Sequence, residues 1–143
     1  MHFRQASRSD IPAVQRIRRL VRENVLTSTV TDEMCREMIE QLGKGWVCEV
    51  HGEVVGFSVA DNSTRNIWAL FVDPLHEGKG IGKVLLERMV DWLFLQNKEP
   101  IWLTTEPGTR AEKVYRAAGW RQCAIEPNGE IRFELTETRN KLE

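Results

Sequence analysis

The sequence predicts one mixed α/β domain, a central sheet with helices on its faces, and three observations carry that expectation. Apolar residues recur at helical spacing in four separate segments. Between them lie short stretches of strand character bounded by glycine, proline or Asx-type turns. The length, 143 residues with 41% apolar side chains, suits a single ordinary core.

The chain opens on a short extended segment, residues 2–6. Ser9-Asp10 then offers a cap ahead of Ile11, Val14, Ile17, Val21 and Val25, whose spacing defines a first helix. Arg16, Arg18, Arg19 and Arg22 fall off that stripe and are read as its solvated face. A second helix begins near Thr31, sets Met34, Cys35, Met38, Ile39 and Leu42 on one core-facing side, and stops at Gly43. Residues 46–50 and 54–60 read as strands joined across His51-Gly52-Glu53, where glycine supplies the positive φ of a tight hairpin turn. Asp61-Asn62-Ser63-Thr64 makes a polar turn into residues 66–72. That stretch is almost unbroken in apolar character, which predicts a central strand buried on both faces. Asp73-Pro74 ends it, because proline brings no amide hydrogen to the ladder.

Ile81, Val84, Leu85, Met89, Trp92 and Leu93 mark a third, amphipathic helix packed on the sheet. Residues 101–105 form a further strand, and Ala111, Val114, Tyr115 and Ala118 line a fourth helix ended by Gly119. Residues 120–125 and 131–135 flank Pro127-Asn128-Gly129, and Asn-Gly is a strong hairpin signal. The predicted order is β-α-α-β-β-β-α-β-α-β-β across one domain, residues 1–143, without linker, repeat or low-complexity stretch. The terminal Leu142-Glu143 reads as an expression remnant.

Twenty basic against twenty-one acidic side chains leave a formal net charge of -1. No overall field therefore draws the chain to nucleic acid or an anionic membrane, and any anion site has to be local. No apolar run approaches the ~20 residues that span a bilayer, and Met1 precedes a strand-like segment instead of a leader, so a cytoplasmic location is expected. Cys35, Cys48 and Cys123 show no C-x-x-C spacing and lie in apolar periodic segments. All three are read as reduced core thiols, and no metal site is expected.

Chemistry concentrates in His76-Glu77-Gly78-Lys79-Gly80-Ile81-Gly82-Lys83. Three glycines in five positions cost chain entropy unless the backbone must take conformations, or allow approaches, that a Cβ forbids. Successive N–H groups from Gly78 to Lys83 can converge at the positive end of the third helix, with Lys79 and Lys83 adding charge, as a site for phosphate or pyrophosphate. Spacing rejects the commoner nucleotide loops. G-x-x-x-x-G-K-[ST] fails because Glu77 stands five before Gly82 and Val84 follows Lys83, removing the hydroxyl that would bind magnesium. G-x-G-x-x-G fails because its last position falls on Lys83 or Leu85.

The loop does resemble Q/R-x-x-G-x-G/A, the pyrophosphate signature of the GNAT superfamily of acyl-CoA-dependent N-acyltransferases, here Glu77-Gly78-Lys79-Gly80-Ile81-Gly82. Ala111-x-x-x-Tyr115-x-x-x-Gly119-Trp120 is similar to that family's A-x-x-x-Y-x-x-x-G-F segment, and Leu70-Phe71-Val72-Asp73-Pro74 looks like its fourth strand and exit. The element order matches too, so the resemblance spans essentially the whole chain. It implies a mostly antiparallel sheet, splayed between strands four and five beyond a bulge and flanked by four helices. It implies acetyl-CoA as co-substrate, with its pyrophosphate on Gly78, Lys79, Gly80, Ile81, Gly82 and Lys83. The pantetheine arm would lie on the strand-four backbone at Leu70, Phe71 and Val72. The sequence departs from the family at Glu77, where Gln or Arg is usual, and at Gly108, where many relatives carry an asparagine that touches the cofactor arm. Arg110 is the candidate replacement for that contact, although residues 104–110 also read as a helix start.

The implied activity is transfer of an acetyl group from acetyl-CoA to a primary amine of a small molecule, by direct attack in a ternary complex. A protein terminus or lysine as acceptor, and a non-catalytic acyl-CoA-binding module, stand as alternatives, and a homodimer is left open. Alignment of the reactants would supply much of the rate, with a strand-four amide polarising the thioester carbonyl. The attacking amine must be neutral, while free alkyl amines have pKa values around 10. Strand four carries no carboxylate; Glu106 is the leading candidate base, with Asp61 behind it, and a water relay requires neither. Tyr115, the only tyrosine, is the candidate acid for the departing thiolate, weighed against a packed core ring. Trp46 and Trp68 are read as core before pocket walls. Acceptor choice is expected in residues 24–31 and the hairpin 125–131.

Overall fold

A computed structural model describes residues 1–21 and 30–137. The strands β1 (His2–Gln5), β2 (Gly43–Val50), β3 (Glu53–Asp61), β4 (Asn66–Val72), β5 (Ile101–Thr105), β6 (Arg121–Ile125) and β7 (Ile131–Leu135) form one sheet ordered β1-β2-β3-β4-β5-β7-β6. Every neighbouring pair is antiparallel except β4 and β5. Four helices accompany it among the described residues: α1 (Ile11–Val21), α2 (Asp32–Glu37), α3 (Ile81–Gln96) and α4 (Arg110–Ala117). Among the described residues no helix is long and apolar enough to cross a membrane.

Alternation along the strands divides the apolar residues between two faces. On one, Ile81, Leu85, Met89 and Leu93 of α3 pack against Trp46, Val55, Leu103 and Phe133. On the other, Ile11, Val14 and Ile17 of α1 join Cys35, Phe57 and Val59. The buried residues of β5 and β7, namely Ile101, Leu103, Ile131 and Phe133, all belong to the α3 side. Their alternates Trp102, Thr104, Arg132 and Glu134 are only partly buried, on the opposite face.

Several local expectations are corrected. Ser7 replaces Ser9-Asp10 as the cap: its amide donates to Asp10 Oδ2 at 2.8 Å, and Asp10 also accepts from the Arg4 guanidinium at 2.8 and 2.9 Å. Val25 and Arg22 lie outside the described residues. α2 widens into a π-type turn, Met38–Leu42, and β2 begins at Gly43, three residues before the expected start. Gly43 is extended at φ -158, and a Cβ there would stand 1.7 Å from the Ala60 carbonyl oxygen. That glycine permits close strand approach and does not stop a helix in the left-handed region. Met34 is exposed, whereas Cys35 and Met38 are buried.

The β2–β3 hairpin is a two-residue turn in which both His51 (φ 53) and Gly52 (φ 79) are left-handed, the I′ geometry that matches strand twist. At the far end, β6 is an edge strand exposed at every residue, so Cys123 is exposed instead of a core thiol. Val114 is likewise 45% exposed, because α4 turns only part of its surface to the sheet. β4 is central in the sheet, yet Ile67 is its one buried residue. Its expected burial on both faces fails because β5 leaves its side, as follows.

Candidate active site

β4 and β5 run parallel, so their C-terminal ends and the helices that follow meet at one edge of the sheet. The two strands pair at one position, Asn66 opposite Trp102. Three hydrogen bonds stitch that position shut: the Trp102 amide to Arg65 O (3.0 Å), Asn66 Nδ2 to Trp102 O (3.1 Å) and Trp102 Nε1 to Thr64 O (2.9 Å). Immediately beyond, the β3 register skips from Ile67 to Ala69, which leaves Trp68 in a bulge. A bulge adds twist and bend, and from there β4 and β5 diverge around a crevice. Leu70, Phe71 and Val72 lie along it; the Phe71 ring packs on Phe57 at 5.5 Å.

The glycine loop closes one end of this crevice. Asp73 ends β4 by accepting from the Leu75 amide at 3.0 Å, starting one 3₁₀ turn over Pro74–His76. Gly78 (φ 81) and Gly80 (φ 83) are both left-handed, a conformation that disfavours any residue with a Cβ. Ile81, 1% exposed, pins the first turn of α3 into the core, while Lys79, Gly80 and Lys83 face solvent. The first α-helical bond of α3 is Val84 N to Gly80 O (3.2 Å), so the amides of Ile81, Gly82 and Lys83 have no acceptor within the helix. Among the described residues no side chain caps this end, and no acid occupies its first turn. Gly82 is not left-handed, and a Cβ there would meet only Val72 Cγ2, at an ordinary 3.6 Å. The packing of the fold does not require glycine at that position, and its absence of a side chain leaves the backbone open to a close approach. Glu77 is exposed, and its amide reaches Pro74 O at 3.4 Å. The loop thus fits a pyrophosphate through backbone amides held by an anchored helix.

Beyond β5, the segment that includes Glu106 and Arg110 builds the start of α4. Thr109 Oγ1 accepts from the Glu112 amide (3.3 Å), Glu112 Oε1 accepts from the Gly108 amide (2.7 Å), and Gly108 is left-handed at φ 77. That amide and the Arg116 guanidinium hold the Glu112 carboxyl below its ordinary range. Glu106 and Arg110 are exposed on the same sheet edge as the glycine loop.

Tyr115 sits one turn into α4, and the spacing from Tyr115 to Trp120 has a structural explanation. Trp120 N donates to Tyr115 O (3.1 Å) and Gly119 N to Arg116 O (3.2 Å), with Gly119 left-handed at φ 97: a Schellman stop. Its hydrophobic contact is the Tyr115–Trp120 ring pair at 6.0 Å, extended by Phe133 at 6.3 Å. Burial pushes the Tyr115 phenol up to about 12, so it stays protonated at neutral pH. Its hydroxyl has no hydrogen-bond partner among the described residues.

Asp61 and Trp46 are placed elsewhere. The Asp61 carboxylate accepts from the Ser63 amide (2.8 Å), Ser63 Oγ (2.6 Å) and Thr64 Oγ1 (2.9 Å), organising the β3–β4 turn. Trp46 is buried against Trp92 at 6.0 Å, and Trp68 packs beside the α1–α2 cluster. Among the described residues no group of three or more His, Cys, Asp or Glu could hold a metal ion. Sequence reasoning missed Trp102 and Arg132, which stack at the base of the crevice with Arg132 Cζ 3.9 Å from the ring centroid. Alternation in residues 131–135 puts Arg132 on the open face, but its partner depends on a strand register that sequence spacing does not reveal.

The sequence model of the acetyltransferase (GNAT) family matches residues 11–120. An N-acetylaspartate synthetase of Danio rerio is 34% identical over 82 residues, 54% of this chain and 29% of that protein, so the match spans under a third of the relative's length. In fold, the chain is similar to a ribosomal-protein-alanine N-acetyltransferase from Brucella melitensis, with TM-score 0.79, 20% identity, and coverage of 96% of this chain and 100% of that one. It is also similar to an N-acetyltransferase from Thermoplasma acidophilum in complex with coenzyme A, with TM-score 0.78, 13% identity, and coverage of 95% and 98%.

Proposed function

Since this chain belongs to the acetyltransferase (GNAT) family, we propose that it moves an acetyl group from acetyl-CoA to a primary amine of a small molecule by direct attack in a ternary complex. The observation that carries this reading is the uncapped, glycine-lined start of α3 at the mouth of the β4–β5 crevice, on the same edge as the helix that bears Tyr115. Acetyl-CoA, when bound, supplies an activated acetyl thioester.

The chain's own groups supply binding, alignment and proton handling. Backbone amides from Gly78 to Lys83 accept the pyrophosphate, and Lys79 and Lys83 add charge. Arg110 places a further cation on that edge. Backbone groups of β4 past the Trp68 bulge hold the extended arm, Leu70 and Val72 among them, so the reacting carbonyl lies within the crevice. Burial there strengthens polarisation of the carbonyl by a strand amide. Glu106 stands at the crevice mouth as the base that passes the ammonium proton to solvent. Tyr115 keeps a proton on Oη and delivers it to sulfur as the C–S bond breaks.

Thiol release from acetyl-CoA, followed with a panel of small primary amines, tests the function. Amine-dependent release with a matching N-acetyl product supports it. Coenzyme A binding with no release from any amine would identify a binding module instead.

A further inference from the structure

α3 covers one face and its N-terminus receives the pyrophosphate, so the amine reaches the crevice from the other face, where Trp102, Thr104 and Arg132 are only partly buried. Register sets Arg132 close to the crevice. It stands opposite Thr104, two residues past the position that joins β5 to β4, and Trp68 is two residues past the same position on β4. One strand spacing, about 4.8 Å, therefore separates Arg132 from the crevice wall at the level of the bulge.

The Arg132 side chain is oriented without being neutralised. Its guanidinium lies against the Trp102 ring, and that ring is locked by its own hydrogen bond to Thr64 O at 2.9 Å. Arg4, Arg8 and Arg116 are held differently, each hydrogen-bonded to carboxylates at 2.7–3.0 Å. Among the described residues no carboxylate forms an ion pair with Arg132. Glu134, two positions along β7, pairs by register with Trp102 and Arg121. Stacking fixes the plane of a guanidinium and leaves its N–H edge available, the arrangement suited to a bidentate carboxylate.

We propose that Arg132 binds a carboxylate of the acceptor, so that the amines acetylated are amino acids or similarly compact amine-bearing acids. The proposal rests on the acetyltransferase reading above and names its substrate class. An α- or β-amino acid keeps amine and carboxylate within a few bonds, matching an anchor one strand from the crevice. Trp102 would then be a positioning residue that acts through Arg132.

The test compares amino acids with their amides, and with short C-terminally amidated peptides, in the thiol-release assay for the wild type, Arg132→Lys and Arg132→Gln. The wild type should prefer free acids over amides by tenfold or more in kcat/KM. Arg132→Gln should raise KM for the acids roughly 10–10²-fold, one charge-assisted pair lost. KM for acetyl-CoA and turnover of the amides should hold, with Arg132→Lys in between. Amides or amidated peptides used as well as the acids would overturn the proposal alone. So would an equal loss on acids and amides in Arg132→Gln, which marks a structural residue. Release with no amine of any kind would instead sink the acetyltransferase reading, and this proposal with it.

Discussion

Replacing Gly82 by alanine separates what the ligand requires from what the fold requires. Gly82 is outside the left-handed region, and the new methyl would touch only Val72 Cγ2 at 3.6 Å. It occupies the second position of α3, where alanine is favoured over glycine by up to about 1 kcal/mol. The variant should therefore melt unchanged or up to roughly 4 °C higher. Binding should go the other way. A pyrophosphate whose oxygens accept from the first-turn amides at ~2.9 Å lies close against the backbone, and an added methyl at Gly82 competes with it for that space. Losing one charge-assisted bond, about 1.5–3 kcal/mol, weakens coenzyme A binding by roughly 10–10²-fold. Calorimetric titration with coenzyme A, beside a melting curve, reads both quantities. Gly80→Ala is the contrast: at φ 83 it should lose about 1–2 kcal/mol of stability as well. Wild-type affinity in a folded Gly82→Ala protein would refute the placement of the pyrophosphate.

Tyr115→Phe keeps the ring contacts with Trp120 and Phe133 and removes a hydroxyl that has no hydrogen-bond partner among the described residues, so stability should change little. Steady-state kinetics should show kcat lowered by ~10²–10⁴-fold with KM for acetyl-CoA nearly constant; full activity would return the residue to packing alone. Asp10 carries a pH dependence: hydrogen bonds from Arg4 hold its carboxyl below the ordinary range. Its contribution is whole above the unfolded value near pH 4 and is lost as pH falls through the depressed folded value. Melting curves of the wild type and Asp10→Asn should thus converge on acidification, and parallel curves would contradict the assignment. Arg65 donates to the carbonyls of Leu93, Asn97 and Glu99 at 2.7, 3.0 and 2.6 Å, closing the C-terminal end of α3. Arg65→Ala should lower urea stability by about 2–3 kcal/mol while the folded protein still binds coenzyme A.

Element order, the glycine turn ahead of α3 and the Tyr115–Trp120 segment were legible from sequence because each is set by neighbours a few residues apart. Helical and alternating periodicity place Ile81 and Leu85 on one stripe, and Asn-Gly or paired glycines demand particular turns. The resemblance in the loop and in Ala111 to Trp120 implied an opening between the fourth and fifth strands, and the single bridge between β4 and β5 agrees with it. What local pattern could not decide was pairing between distant segments. The sheet order places β7 between β5 and β6, which leaves β6 exposed and takes Cys123 out of the core. The bulge at Trp68 and the single bridge at Asn66 determine where the sheet opens, and so why an apolar β4 is only partly buried. The stacking of Arg132 on Trp102 likewise exists only once residues thirty positions apart are brought into register. An α-helix or a turn is specified within one stretch of chain, but the face, edge and gap of a sheet belong to strands that find each other in three dimensions.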